Sequence, residues 1–275
     1  MRETEADVGA RVATTAADVE GWWKPVVLPD DSWVLLDGGR IEAAGWILVR
    51  DGNAWQHGLV RPASRRRGFG TRLLELAESR SRERGVSRLE ADALGADRAA
   101  EALFRSRGYE PVHRYLELSL ELTEPPGRFE PAGIRIEPFR VEDARVFHRT
   151  IDDAFADNWD FVSTPFEQWY EQRVVNDDMS YSFLAREGDA VAGAIRCDAD
   201  RRGVGWVGAL GVLPEWRGRG VGRALLLRAF REFWDRGQPN VGLGVASDNA
   251  GALHLYESVG MHVEAEDVVY EKRLA

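Results

Sequence analysis

Leu210-Gly211-Val212-Leu213-Pro214-Glu215-Trp216-Arg217-Gly218-Arg219-Gly220-Val221-Gly222-Arg223 carries a short apolar strand into a turn at Pro214, then into an arginine-rich loop with three glycines. The helical pattern Ala224 to Trp234 follows at once. A loop that opens a helix in this way turns several backbone N–H groups in one direction at the positive end of the helix dipole, which suits a phosphate or pyrophosphate. Taken alone it is weak, because Gly and Arg also fill ordinary surface turns. What strengthens it is that the unit occurs twice.

Gly58 to Leu74, GLVRPASRRRGFGTRLL, repeats the pattern. Pro62 matches Pro214, Arg65 matches Arg217, Gly68 matches Gly220, Gly70 matches Gly222, Phe104 matches Tyr256 and Gly108 matches Gly260, each at an offset of 152 residues. A constant offset leaves no room for insertion or deletion. The chain is therefore an internal duplication of one α/β unit, and two copies of this size predict two similar domains rather than a solenoid.

Composition sets the class. A chain of 275 residues with 44% hydrophobic content is long enough for two ordinary cores. No apolar run approaches the ~20 residues that cross a bilayer, and MRETEADVGAR has no apolar signal core, so a cytoplasmic protein without a membrane partner is expected. Net charge is −10, which argues against a nucleic-acid partner. Only Lys24 and Lys272 are lysines, so the cations are nearly all arginine. The single cysteine, Cys197, excludes an internal disulfide and a Cys-rich metal site, and its apolar surroundings suit a small buried side chain.

In order, Val8 to Trp23 reads as a helix, with a turn at Pro25 and Pro29. Trp33 to Leu36 and Ile41 to Val49 form a hairpin across Asp37-Gly38-Gly39, and Asp51-Gly52-Asn53 turns into a strand ending at Val60. Helices over Thr71 to Arg84 and Asp97 to Arg107, with strands over Arg88 to Ala93 and Val112 to Leu122, complete the first copy. Three prolines and two glycines from Pro125 to Gly133 cannot continue either regular structure. They predict a domain at 1–124, a linker at 125–133 and a domain at 134–275. The second copy reads as a strand at Ile134 to Phe139 and a helix at Val141 to Ala154. A further helix at Thr164 to Val175 is expected, with Thr164 as N-cap, Pro165 first and Glu167 third, the pattern of a capping box. The hairpin Ser182 to Cys197, the strand Val204 to Val212, the strand Val241 to Ala246, the helix Asn249 to Val259 and a last strand Val263 to Leu274 follow.

Arg217-x-x-Gly220-x-Gly222 after a strand, with Asn249 and Tyr256 further on, resembles the acyl-CoA-binding motif of the GNAT family of N-acetyltransferases. The resemblance implies an α/β fold with a mixed, twisted sheet, tandemly duplicated, whose first copy is abbreviated by one strand and helix. It also implies an acetyl-CoA-dependent transfer to a primary amine of a small molecule by direct attack in a ternary complex. On it, Leu210, Gly211 and Val212 pair with the cofactor arm, while Arg217, Gly218, Arg219, Gly220, Val221, Gly222 and Arg223 hold the pyrophosphate. Asn249 lies against the arm, and Tyr256 donates a proton to the departing thiolate. Arg65, Arg66, Arg67, Gly68, Phe69 and Gly70 form a second cofactor site in a copy that has lost catalysis. Phe155 to Trp159 before a Thr-Pro helix resembles the substrate side of duplicated members that acetylate a cysteinyl amine, so Asp157, Trp159 and Asp160 are expected to face the substrate. A plain packing role for Tyr256, a helix N-cap role for Asn249 and a non-catalytic acyl-CoA sensor remain open alternatives. Val204 to Val212 offers no carboxylate as general base.

Overall fold

The computed structural model describes residue 23 and residues 26–50, 52–94, 97–159, 161–199 and 203–274. The expected helix from Val8 and the Pro25 turn fall outside them, as do Asp51 and Asp160. Contacts divide the chain into two compact units: residues 1–116, 246–248 and 265–275, and residues 117–245 and 249–264. Among the described residues no helix is long and apolar enough to cross a membrane.

In the first unit, β1 (Ser32–Asp37), β2 (Arg40–Arg50) and β3 (Asn53–Val60) form an antiparallel meander. Helix α1 (Phe69–Glu83) then crosses back to β4 (Arg88–Leu94), which lies parallel to β3. Helix α2 (Arg98–Ser106) follows, capped by the Asp97 carboxylate, which accepts the Ala100 N–H at 2.9 Å. The core gathers Ile47, Leu74, Leu89, Phe104, Tyr109 and Tyr270. Strand β5 runs Glu110–Glu121. The free edge of β4 is taken by the last strand of the chain, β11 (His262–Arg273): Asp267 to Arg273 pair antiparallel with Leu94 to Arg88. This is why residues 265–275 pack with the first unit.

In the second unit the strand order is β5, β10 (Asn240–Ala246), β9 (Gly205–Val212), β8 (Ala190–Asp198), β7 (Phe183–Glu187), β6 (Ile134–Pro138). Strands β6, β7, β8 and β9 are antiparallel in turn, and β10 runs parallel to β9. One face is covered by α3 (Ala144–Phe155), whose Phe147 is fully buried with Leu184 and Ala194. The other is covered by α5 (Val221–Asp235) through Leu225, Leu226, Ala229, Phe230 and Phe233. Helix α6 (Ala250–Ser258) completes the unit. Close approach sets the glycine at 205, where an added Cβ would stand 2.5 Å from the Phe233 ring. Gly205→Ala is therefore expected to cost about 1–3 kcal/mol by overpacking, read as a lower urea midpoint at unchanged slope.

One local expectation fails. The helix expected from Thr164 runs only from Phe166 to Tyr170 (α4), continues as a wider turn over Glu171–Val175, and has no side-chain cap. Pro165 is extended (ψ 138°). Instead of capping, Thr164 gives its carbonyl to the His148 ring Nε2, 2.8 Å away.

Candidate active site

The site begins where two parallel strands part. Strands β9 and β10 are in register only over Gly205 to Val207 and Val241 to Leu243. Beyond that, Leu210, Gly211 and Val212 stay paired to Ile195, Ala194 and Gly193 of β8 on one side. Their other edge faces the opening. At the parting point the β8 register slips, with Arg196 opposite Ala209 and Cys197 opposite Val207, so Gly208 is the extra residue of a β-bulge. A bulge leaves a residue unpaired and re-aims the strand. The Arg196 guanidinium lies against Gly208 where a Cβ would be, so a larger residue here would have to displace it. Arg196 is held in turn by Asp198, at 2.5 Å. A glycine inside a strand run is the signal that marks such a bulge.

The phosphate loop closes one end of the opening. A single 3-10 turn, Pro214–Trp216, delivers the chain to Arg217, and Gly218 and Gly220 take positive φ of 74° and 81°. Gly220 is the N-cap of α5, and no side chain caps that helix, so its first N–H groups have no side-chain partner. Arg217 and Arg219 are committed to the protein. Arg217 donates to the carbonyls of Val212 (3.0 Å) and Ala154 (3.3 Å). Arg219 pairs with Glu187, which also accepts the Trp216 indole N–H, and these contacts hold the Glu187 carboxyl below its ordinary range. Arg223 donates to the carbonyl and hydroxyl of Ser258. The guanidinium groups of Arg217 and Arg219 brace the loop, and the backbone amides at the head of α5 have no side-chain partner.

Helix α6 is docked on this loop. Its Leu255 side chain leaves only 3.1 Å for a Cβ at Gly222, and Ser258 is tied to Arg223. Tyr256 therefore sits one residue from the contact. It is 7% exposed, and burial alone raises its phenol to about 12. Asn249 is the N-cap of α6, its side chain accepting the Ala252 N–H at 3.1 Å. Asp157 is exposed in the turn after α3 and Trp159 is half-buried. Nearby, Asp152 accepts from Ser163 and lies 3.5 Å from the His148 ring. Cys197 is buried with its thiol pushed up by desolvation, which suits packing and not nucleophilic chemistry.

The first unit repeats the loop but differs beside it. Gly68 is the N-cap of α1 at φ 88°, and a Cβ at Gly70 would meet Leu103 at 2.9 Å, as at Gly222 and Leu255. Strand β3, however, pairs with β2 without a bulge. Where β3 and β4 part, the His57 ring stacks on Trp46 with centroids 5.1 Å apart and lies 3.7 Å from Asp92. Asp92 also accepts the Trp55 indole N–H at 3.2 Å. Burial lowers the His57 pKa against the pull of Asp92. Arg65 lies 3.6 Å from Asp97, and Arg67 pairs with Asp37.

A strand–phosphate loop–helix unit beside a splayed parallel pair, present twice, defines an acetyltransferase of the GNAT type. Residues 10–109 and 145–261 each match the acetyltransferase (GNAT) family, and the chain belongs to that family. It is 32% identical over 248 residues to the mycothiol acetyltransferase of Nocardiopsis dassonvillei, covering 77% of this chain and 72% of that one. Among solved structures it is similar to a GCN5-related N-acetyltransferase from Sphaerobacter thermophilus, with TM-score 0.85 and 26% identity over 99% of this chain and 90% of that chain. The fold is also that of a tandem GNAT protein from the clavulanic acid biosynthesis pathway, with TM-score 0.79 and 20% identity over 100% of this chain and 93% of that chain.

Proposed function

We propose that the protein moves an acetyl group from acetyl-CoA to the primary amine of a small molecule, and that the second repeat carries the reaction. One observation supports this above the others: the uncapped α5 terminus, the bulged open edge of β9 and the buried Tyr256 phenol occur together in the second unit. In this reading the amides of Gly218 to Gly222 grip the pyrophosphate, and the open edge Leu210 to Val212 pairs with the pantetheine arm. Amides beside the Gly208 bulge polarise the thioester carbonyl and stabilise the oxyanion as the amine attacks. The acyl C–N bond forms, the C–S bond breaks, and Tyr256 donates its proton to the thiolate, for which a phenol neutral at pH 7 is suited. The amine loses its own proton to water, since β9 bears no carboxylate. Asp157 and Trp159 stand on the acceptor side.

The relatives support one acceptor over others. The name mycothiol acetyltransferase points to the cysteinyl amine of a sugar-linked thiol precursor. The first unit, with His57, Trp46 and Asp92 at its opening and Phe104 in place of tyrosine, keeps at most a cofactor-binding loop. The experiment is release of free CoA thiol from acetyl-CoA, with a cysteinyl-glucosaminyl acceptor compared against a panel of other primary amines. Acceptor-dependent release, fastest with the cysteinyl compound, is expected. Fastest release with another amine removes that acceptor and keeps the transfer, whereas cofactor uptake without release for any amine replaces the enzyme with a sensor.

A further inference from the structure

The segment 125–133 reaches the glycine loop at the head of α5. Phe129 is a large apolar side chain left 41% exposed on a Pro- and Gly-rich segment. Single exposed apolar residues are ordinary, but the position of this one is not. Its Cε1 lies 2.8 Å from where a Cβ of Gly220 would stand, and Pro131 follows at 3.7 Å. The Arg223 guanidinium carbon is 5.8 Å from the ring centroid, within cation–π range. The hydrogen bonds to Ser258 fix that guanidinium in place. The matching glycine of the first repeat, Gly68, has nothing within 4 Å of its Cβ position. The first loop has a ring and a cation of its own, Phe69 with the Arg67 guanidinium carbon 5.3 Å from its centroid, but both belong to the loop-to-helix run itself; at the second loop a ring from residues 125–133 stands against the N-cap glycine.

We infer that Phe129 and Arg223 form the nucleotide-end subsite of the second repeat, the ring stacking on the adenine of acyl-CoA and the guanidinium taking the ribose 3′-phosphate. This deepens the acyl-CoA reading and rests on it. The chemistry fits. In CoA the adenosine is attached directly to the pyrophosphate, so a ligand whose pyrophosphate sits on the α5 amides carries its base and 3′-phosphate to groups at the rim of that loop. A planar ring stacks on any base face, and a guanidinium matches a phosphate. The linker would then select full-length CoA esters over shorter pantetheine carriers.

The test is calorimetric titration of the full chain with CoA, 3′-dephospho-CoA and 4′-phosphopantetheine. Phe129→Ala is expected to weaken CoA and dephospho-CoA about tenfold and leave phosphopantetheine unchanged, with Phe129→Trp restoring affinity. Arg223→Gln is expected to erase the preference for CoA over dephospho-CoA. Unchanged affinities in Phe129→Ala overturn the subsite, and tighter binding overturns it in favour of a ring that obstructs the loop. Failure of the unaltered protein to take up CoA at all sinks the acyl-CoA reading instead. Because Phe129 is exposed, an unchanged Tm checks that the variant is folded.

Discussion

Tyr256→Phe is expected to lower kcat about 100-fold, the low end of what a positioned general acid supplies, while leaving the Kd for acetyl-CoA within about twofold. The hydroxyl is the only atom removed. The ring stays where burial holds it, and the first repeat shows that phenylalanine is accepted at this place: Phe104 packs at 5.7 Å from Tyr109 and 5.3 Å from Tyr270. An effect on kcat alone therefore reports proton donation and not packing. The pH profile sharpens the test. A phenol raised to about 12 by burial stays protonated throughout the working range. The wild-type rate thus has no basic limb from Tyr256 below about pH 11, and any rise at lower pH belongs to deprotonation of the amine. A general acid with an ordinary phenol would begin to lose its proton near ~10. Equal kcat for the two proteins removes the donor role and returns Tyr256 to the core.

The constant offset of 152 residues placed the strands and helices of both copies, because apolar spacing, glycine caps and proline turns are local signals. Every strand expected within the described residues forms within about two residues of its expected ends. The destination of the last strand was not legible. Strands β5 and β11 span the same positions of the repeat, Glu110–Glu121 and His262–Arg273, so local pattern cannot say which β4-type edge each one joins. Pairing across ~170 residues decides it, and β11 takes the edge of β4. The loop glycines and Tyr256 were readable by spacing. The partners of the loop arginines were not, since Glu187 and Ser258 lie 32 and 35 residues away and nothing local marks either one. Gly208 was visible as a glycine within a strand, but the offset that carries Pro62 to Pro214 pairs it with Gln56, a regular ladder residue. The bulge is where the two copies diverge in backbone, and it lies at the opening.

Gly220→Val is the substitution expected to remove cofactor binding from the second unit outright, lowering acetyl-CoA affinity there by at least about 100-fold. Three effects add at one residue. Its φ of 81° is a left-handed conformation that costs an L-residue about 1–2 kcal/mol, and a β-branched one more. Its Cβ would lie 2.8 Å from Phe129. Above all, relief of the backbone strain requires this N-cap to leave the left-handed region, which rotates the amides at the head of α5 away from the common direction in which they face a phosphate. The helix itself should persist, because Leu225, Leu226, Ala229, Phe230 and Phe233 hold it to the sheet. Circular dichroism near that of the wild type is the control. Gly68→Val is the matched comparison: φ is 88°, so the backbone strain is the same, but nothing lies within 4 Å of the new Cβ. If the second repeat holds the working site, thiol release survives Gly68→Val and is lost in Gly220→Val, and titration shows the binding lost with it. Survival in Gly220→Val with loss in Gly68→Val would move the chemistry to the first unit, past His57 and Asp92, and those two side chains would then have to be reread as part of the reaction.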